Sequence, residues 1–357
     1  MLNPELKLNQ KLFDTDVELK SMRLGFGEGL VKAAEFNENV VGLCADLAES
    51  TGMGQFKEKF PERFVEVGVA EQDLVTVASG MAAMGKIPFA ASYAVFSPGR
   101  NWEQIRTTIC YNNVPVKLIG THGGVNVGPD GGSHQALEDI ALMRVLPRMV
   151  VISPCDFYEA KKAVIAAAKT KDPTYIRLPR EKSAVITTED TPFKIGKATV
   201  LFRSGNSGRG LPSPHAEAMT RRSSNSSESR SRNSADIALI ATGSLMIEVL
   251  KAAKRLEDQG KNVTVLNIST IKPLDEEAVI HLAREAGALI TIEYHQIAGG
   301  LGSAVSECLA EHFPVSIEFI GIKDVFGQSG TPEELIKHYG LDANSIYGAA
   351  KRAMLRK

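Results

Sequence analysis

The stretch FVEVGVAEQDLVTVASGMAAMG, residues 64–85, joins two kinds of periodicity. A valine-rich run that alternates apolar and polar residues ends at Val69-Ala70, as a strand does, and a run of small and apolar residues at helical spacing follows. Between them stands Glu71, an acid at the mouth of an apolar strand, where a packed core would exclude it. A strand that feeds a helix through a polar hinge is the repeating unit of an α/β fold. In such folds the residues just past the strand ends serve ligands.

The same rhythm extends in both directions. VVGLC (40–44), IPFAAS (87–92), VKLIGT (116–121), MVVIS (149–153) and TYIRL (174–178) read as further strands, with amphipathic stretches such as 101–111 and 156–170 between several of them. Residues 203–234, rich in serine and arginine and nearly devoid of apolar side chains, interrupt the pattern. Such a segment cannot bury enough surface to offset its ordering entropy and is expected to be disordered. Its TRRSS could serve as a phosphorylation or basic docking site, although a solvated insertion without a site is the plainer reading. Beyond it the alternation resumes in DIALIAT (236–242), NVTVLNI (262–268), ALITIEY (288–294) and VSIEFIGI (315–322). The expectation is therefore two open, mostly parallel-sheet α/β domains: residues 1–190, a linker with the insertion at 191–235, and a smaller domain over 236–357.

Composition sets the outer bounds. With 43% hydrophobic and 23% charged residues the 357-residue chain is that of an ordinary globular protein. A formal net charge of −1 gives no electrostatic reason to expect nucleic acid or an acidic membrane as partner. The cysteines Cys44, Cys110, Cys155 and Cys308 form no CxxC pair and suit a reducing compartment. No run approaches the roughly 18 residues of a membrane span, and the opening MLNPELKLNQKLFD has no signal pattern. The expected location is cytoplasmic.

The residues just past each strand of the first domain carry the chemistry. Asp46 comes after VVGLC, Glu71 after FVEVGV, Tyr93 and Phe96 after IPFAAS, His122 after VKLIGT and Arg180 after TYIRL. Two acids, two aromatics, an imidazole and a guanidinium are thus delivered to one edge of one sheet, which argues for a catalytic cleft. The glycine-rich THGGVNVGPDGGSHQALEDIALMR (121–144) adds Asp130 and His134, and its backbone can approach a ligand closely. His134 and Arg180 suit an anion. A metal held by these side chains is not expected, because His122 and His134 lack helical i, i+4 spacing and a third ligand is not evident. Plainer readings exist one residue at a time: Asp46 as a cap, Glu71 as an acid favoured by a helix dipole, Tyr93 and Phe96 as core. GGLGSA (299–304) is more simply a helix start than a phosphate loop. His281, His312 and His338 read as surface positions, and His295 at a strand end stays open.

VGVAEQ (67–72), YAVF (93–96), the 121–144 loop and YIRLPRE (175–181) resemble the pyrimidine-binding domain of the transketolase family. NISTIKPLDEEAV, GGLGSAVSE and DVFGQSGTPEELIKHYG resemble that family's C-terminal domain. The resemblance implies thiamine diphosphate as cofactor, with Glu71 hydrogen-bonding the ring nitrogen of its aminopyrimidine. A carboxyl in an apolar pocket favours its protonated form and can share a proton there, which drives the amino group to the imino form that takes the thiazolium proton. It further implies Tyr93 and Phe96 as walls of the pyrimidine pocket and Asp46 as a loop acid near the cofactor. His122 and His134 would lie beside the sugar hydroxyls and phosphate, Asp130 would read the hydroxyl next to the reacting carbon, and Arg180, with Arg23 and Ser50, would contact phosphate. The pattern departs at Gly99, where a third pocket aromatic is common; Trp102 stands nearby as a substitute.

Full-length members of that family begin with another α/β domain whose GDG…N motif holds Mg²⁺ and the diphosphate, and this sequence has no such motif. The resemblance therefore implies the C-terminal subunit of a split transketolase, moving a two-carbon ketol unit between sugar phosphates. An N-terminal partner subunit would hold Mg²⁺ or another divalent cation, in an α2β2 assembly about a two-fold axis. A relative of 1-deoxyxylulose-5-phosphate synthase, the β-subunit of a 2-oxoacid dehydrogenase and a non-catalytic paralogue are the alternatives.

Overall fold

The computed structural model describes residues 1–204 and 235–356. In chain order the strands are β1 (Leu19–Ser21), β2 (Val40–Cys44), β3 (Phe64–Glu66), β4 (Ile87–Tyr93), β5 (Lys117–Thr121), β6 (Val150–Ile152), β7 (Thr174–Arg177), β8 (Lys182–Ala184), β9 (Thr199–Arg203), β10 (Ile237–Ala241), β11 (Val263–Asn267), β12 (Thr270–Lys272), β13 (Ala288–Gln296) and β14 (Ser316–Ile322). A seven-stranded sheet has the order β12-β6-β7-β5-β4-β2-β3, and a five-stranded sheet the order β14-β13-β10-β11-β9. Within these two sheets all pairings are parallel except the outermost β12–β6 and β9–β11. This is the α/β class read from the sequence.

The apolar runs become strands because both faces of each sheet are covered. Helices Met22–Phe36 and Phe157–Ala167 pack on one face of the larger sheet, over Phe89, Ile119 and Ile176. Helices Glu71–Ala83 and Asp139–Arg144 cover the other, over Leu43, Leu118 and Val151. A strand buried on both sides must be apolar at nearly every position, as β2, β5 and β7 are apart from a few satisfied polar groups. Among the described residues no helix is long and apolar enough to cross a membrane.

Three features differ from the sequence reading. Residues 199–203, expected in the linker, form β9 and edge the smaller sheet; the pairing is set by β11 and by residues 1–3, where Asn3 N–H and Nδ2 donate to the carbonyls of Leu201 and Val200. β12 belongs by sequence to the second half yet pairs with β6 and completes the larger sheet, Thr270 opposite Ile152. The 101–111 stretch begins as a helix over Trp102–Gln104 and then widens into π-helical turns over Ile105–Tyr111. Of the expected insertion, Arg203 and Ser204 are parts of the sheet edge; the rest, including TRRSS, lies outside the described residues.

Candidate active site

The carboxyl ends of five adjacent strands, β7-β5-β4-β2-β3, form one rim of the larger sheet. The side chains singled out in the sequence stand along it in that order. Arg180 lies past β7, His122 past β5, Tyr93 ends β4 with Phe96 in the following turn, Asp46 follows β2, and Glu71 opens the helix after β3.

His122 is the most constrained. Its backbone adopts φ 62°, a left-handed conformation uncommon outside glycine, and its ring stacks on Tyr93 with centroids 3.7 Å apart. Nδ1 lies 2.9 Å from Thr121 Oγ1. Burial, then the charges of Arg23, Arg180 and His134, push the imidazole down to about 3, so it is neutral at physiological pH. Phe96 stacks on Tyr93 at 5.8 Å and meets His134 edge-on at 5.5 Å, making one aromatic–imidazole cluster. Arg180 Nη1 donates to Val127 O at 2.5 Å and sits 3.9 Å from Asp130 Oδ2. Arg23, in the first turn of its helix, donates to the carbonyls of Ser50 (2.5 Å) and Arg180 (2.9 Å), while its buried Nε has no partner. Tyr93, Phe96, His122, His134, Asp130, Arg180, Arg23 and Ser50 are therefore one connected group.

Glu71 and Asp46 stand apart from that group. The Glu71 residue is only 5% exposed, and its carboxylate accepts no hydrogen bond from any described residue. Only its backbone is tied in, through Asn101 Nδ2, which donates to Glu71 O (2.7 Å) and to Ser97 Oγ (3.1 Å). With no partner of its own, the carboxylate is free to accept a hydrogen bond from a ligand at the head of the helix. Asp46 is exposed at φ 58°, its N–H given to the Glu66 carboxylate. The aromatic missing at Gly99 has a backbone cause, since a Cβ there would run into the Val95 carbonyl. Trp102 does not join the Tyr93–Phe96 stack: its indole N–H donates to Leu142 O at 2.8 Å and its ring packs on the core beneath the sheet.

Two groups escaped the sequence reading. Asn101 lies just past the departure at Gly99, and nothing in its local sequence marks it. The buried set Asp139, Tyr175 and Arg177 is the other. Asp139 Oδ2 accepts from Tyr175 Oη (2.7 Å) and Arg177 Nε (2.8 Å), and Arg177 Nη2 donates to Ala136 O and Tyr294 O. An arginine inside an otherwise apolar strand, in TYIRL, was the available signal. GGLGSA is a helix start whose N–H groups are already taken, since the buried Glu293 carboxylate accepts from Leu301 and Gly302. His295 is buried, with Nε2 accepting from Ala141 N–H and Nδ1 on Gln296 O. Among the described residues no cluster of three or more His, Cys, Asp or Glu side chains could hold a metal ion.

This is the architecture of an α/β protein with a cleft of polar and aromatic side chains at its strand ends, and comparison with known proteins gives the family. Residues 19–184 match the model of the transketolase pyrimidine-binding domain and residues 228–346 that of the transketolase C-terminal domain. The chain belongs to the transketolase family. A Methanocaldococcus jannaschii protein, provisionally named as a transketolase C-terminal section, is 40% identical over 94% of this chain and 96% of its own length. The 6-deoxy-6-sulfo-D-fructose transketolase subunit of a Clostridium species is 34% identical over 97% of this chain and 98% of its own. Among solved structures, a split-gene transketolase described as an inactive β4 tetramer superposes with TM-score 0.80 at 38% identity, covering 94% of this chain and 98% of that one.

Proposed function

We propose that the chain is the C-terminal subunit of a split transketolase, moving a two-carbon ketol unit from a ketose phosphate to an aldose phosphate in the cytoplasm. The observation that carries this reading is the Glu71 carboxylate, which has no hydrogen-bond partner among the described residues, in a largely buried residue at the head of its helix, two strand-ends from a ready-made aromatic stack. It has the chemistry to hold the protonated ring nitrogen of an aminopyrimidine. Thiamine diphosphate, when bound, supplies the carbanion chemistry that the side chains cannot.

The chain's own residues orient and bind. Glu71 presents its carboxyl oxygen to the ring nitrogen to share one proton with it, and Tyr93 and Phe96 wall the apolar pocket. Asp46 lies on the adjoining loop. His122, neutral and fixed by its stack, exchanges hydrogen bonds with a sugar hydroxyl without adding charge, and His134, set edge-on to the Tyr93–Phe96 pair, contacts the sugar phosphate beside it. Asp130 accepts from a hydroxyl. Arg180 and Arg23, beside Ser50, neutralise a phosphate, and the unpartnered Arg23 Nε is a donor in want of an acceptor. The diphosphate and a divalent cation such as Mg²⁺ fall to an N-terminal partner subunit, in an α2β2 assembly. A relative built from β chains alone is described as inactive, which supports that dependence.

The test is reconstitution with the N-terminal subunit, thiamine diphosphate and Mg²⁺, assayed with xylulose 5-phosphate and an aldose phosphate, and separately with pyruvate as donor. Ketol transfer is expected only from the mixture and only with the ketose phosphate. Glu71→Gln is expected to lower kcat by about 10²-fold or more with unchanged assembly on gel filtration. A Glu71→Gln chain as active as wild type would sink the mechanism.

A further inference from the structure

His134 and Asp130 ride on a loop closed at its neck by Gly124 N–H donating to Ala136 O at 2.9 Å. The His134 ring is held only lightly, by Ser133 Oγ and by the edges of Phe96 and Tyr93. Its place therefore depends on the backbone beneath it, which turns at Gly131 (His134 N–H to Gly131 O, 3.0 Å).

The next residue, Gln135, is 3% exposed and points inward. Its Nε2 donates to Val125 O (3.2 Å) and at longer range to Gly128 O (3.5 Å), both in the same loop, and to Gln328 O (3.0 Å) in the second domain. Its Oε1 is buried with no partner. A residue needed only for packing would be apolar here, since a buried amide left half satisfied is a cost. The surroundings are shaped around it. A Cβ on Gly327 would overlap Gln135 Oε1, one on Gly132 would lie 2.6 Å from Gly327 O, and one on Gly131 2.7 Å from Ser329 Oγ. Two glycine-bearing loops from different domains are thus pressed together over a single amide.

We infer that Gln135 is a positioning residue for the substrate-reading loop, and that the second domain enters the reaction through it, as the back wall that fixes His134 and Asp130. This rests on the proposed function for its catalytic consequence; the order of the loop does not depend on it.

Gln135→Met keeps the volume and removes the amide, and hydrogen exchange by mass spectrometry on the full chain alone reads the loop directly. Amides of residues 126–134 are expected to exchange at least 10-fold faster than in wild type, with those of β4 and β5 unchanged. In the reconstituted enzyme KM for the sugar phosphates is expected to rise about 10-fold with kcat changed much less. Should Gln135→Met fold poorly, Gly327→Ala, which pushes on the amide from the other domain, is expected to give the same local pattern. Unchanged exchange at 126–134, acceleration spread evenly over the chain, or a local change with KM unaltered would each overturn the inference. If the wild-type mixture transfers no ketol unit, the functional reading fails, and the exchange data still decide whether Gln135 orders the loop.

Discussion

His122 shows how one side chain can be set by three separate constraints. The positive φ fixes its backbone, Tyr93 fixes its ring plane, and burial beside two arginines fixes its charge. Because the folded-state value lies near 3 and the ordinary one near 6.5, the fold binds this proton less readily than the unfolded chain does. Its contribution is intact above about pH 6.5 and is lost progressively as pH falls toward 3. His295, lowered to about 4 chiefly by burial, acts in the same sense. His122→Asn, whose side chain tolerates the left-handed backbone, is expected to flatten the decline of melting temperature between pH 6.5 and 4 relative to wild type. The proposed activity is expected to have no limb near pH 6.5 that disappears in this variant. These residues were legible because each followed an apolar run directly. Asn101 and Gln135 were not, because their importance lies in which carbonyls they meet, and those come from distant segments.

At the level of elements, the sequence was most readable where burial was complete. VVGLC and the core of VKLIGT became β2 and β5 because a strand covered on both faces leaves an uninterrupted apolar run. β1, β8, β9 and β12 were missed for the converse reason: each is three to five residues long at a sheet edge or in a two-stranded ladder, and is specified by its partner. The helix Met22–Phe36 illustrates a second kind of hidden signal. Gly25 and Gly29, one turn apart, let it lie against Phe157–Ala167 at backbone contact, so that a Cβ on Gly25 would run into the Phe157 carbonyl and one on Gly29 would come within 2.8 Å of Lys161 O. Gly25→Ala must push the two helices apart. It is expected to cost about 1–3 kcal/mol, read as a lower urea midpoint, despite the better helix propensity of alanine.

Over the whole molecule, the residues that flank the serine- and arginine-rich stretch are fixed in the smaller sheet. Ser204 N–H donates to Val263 O and Asp236 N–H to Asn262 O, so its two ends flank the start of β11. They are separated by two inter-strand spacings, roughly 10 Å. A linker of about six glycine and serine residues reaches that far. Replacing residues 205–234 with one is expected to shift the melting temperature by no more than ~2 °C, because loop length enters stability only logarithmically. A large loss would overturn that expectation.

β12 has a consequence for how such a chain can change over generations. It reaches out of the second half to close the open flank of the first half's sheet, while Ser269 and Asn267 beside it donate to the buried Glu159 carboxylate. The halves are thus not interchangeable modules. Recombination between relatives at the linker would hand one parent's sheet the other parent's closing strand, and the foreign segment would have to match an inherited edge residue by residue. Without that match, a hybrid would carry a bare ladder of N–H and C=O groups open to stray pairing.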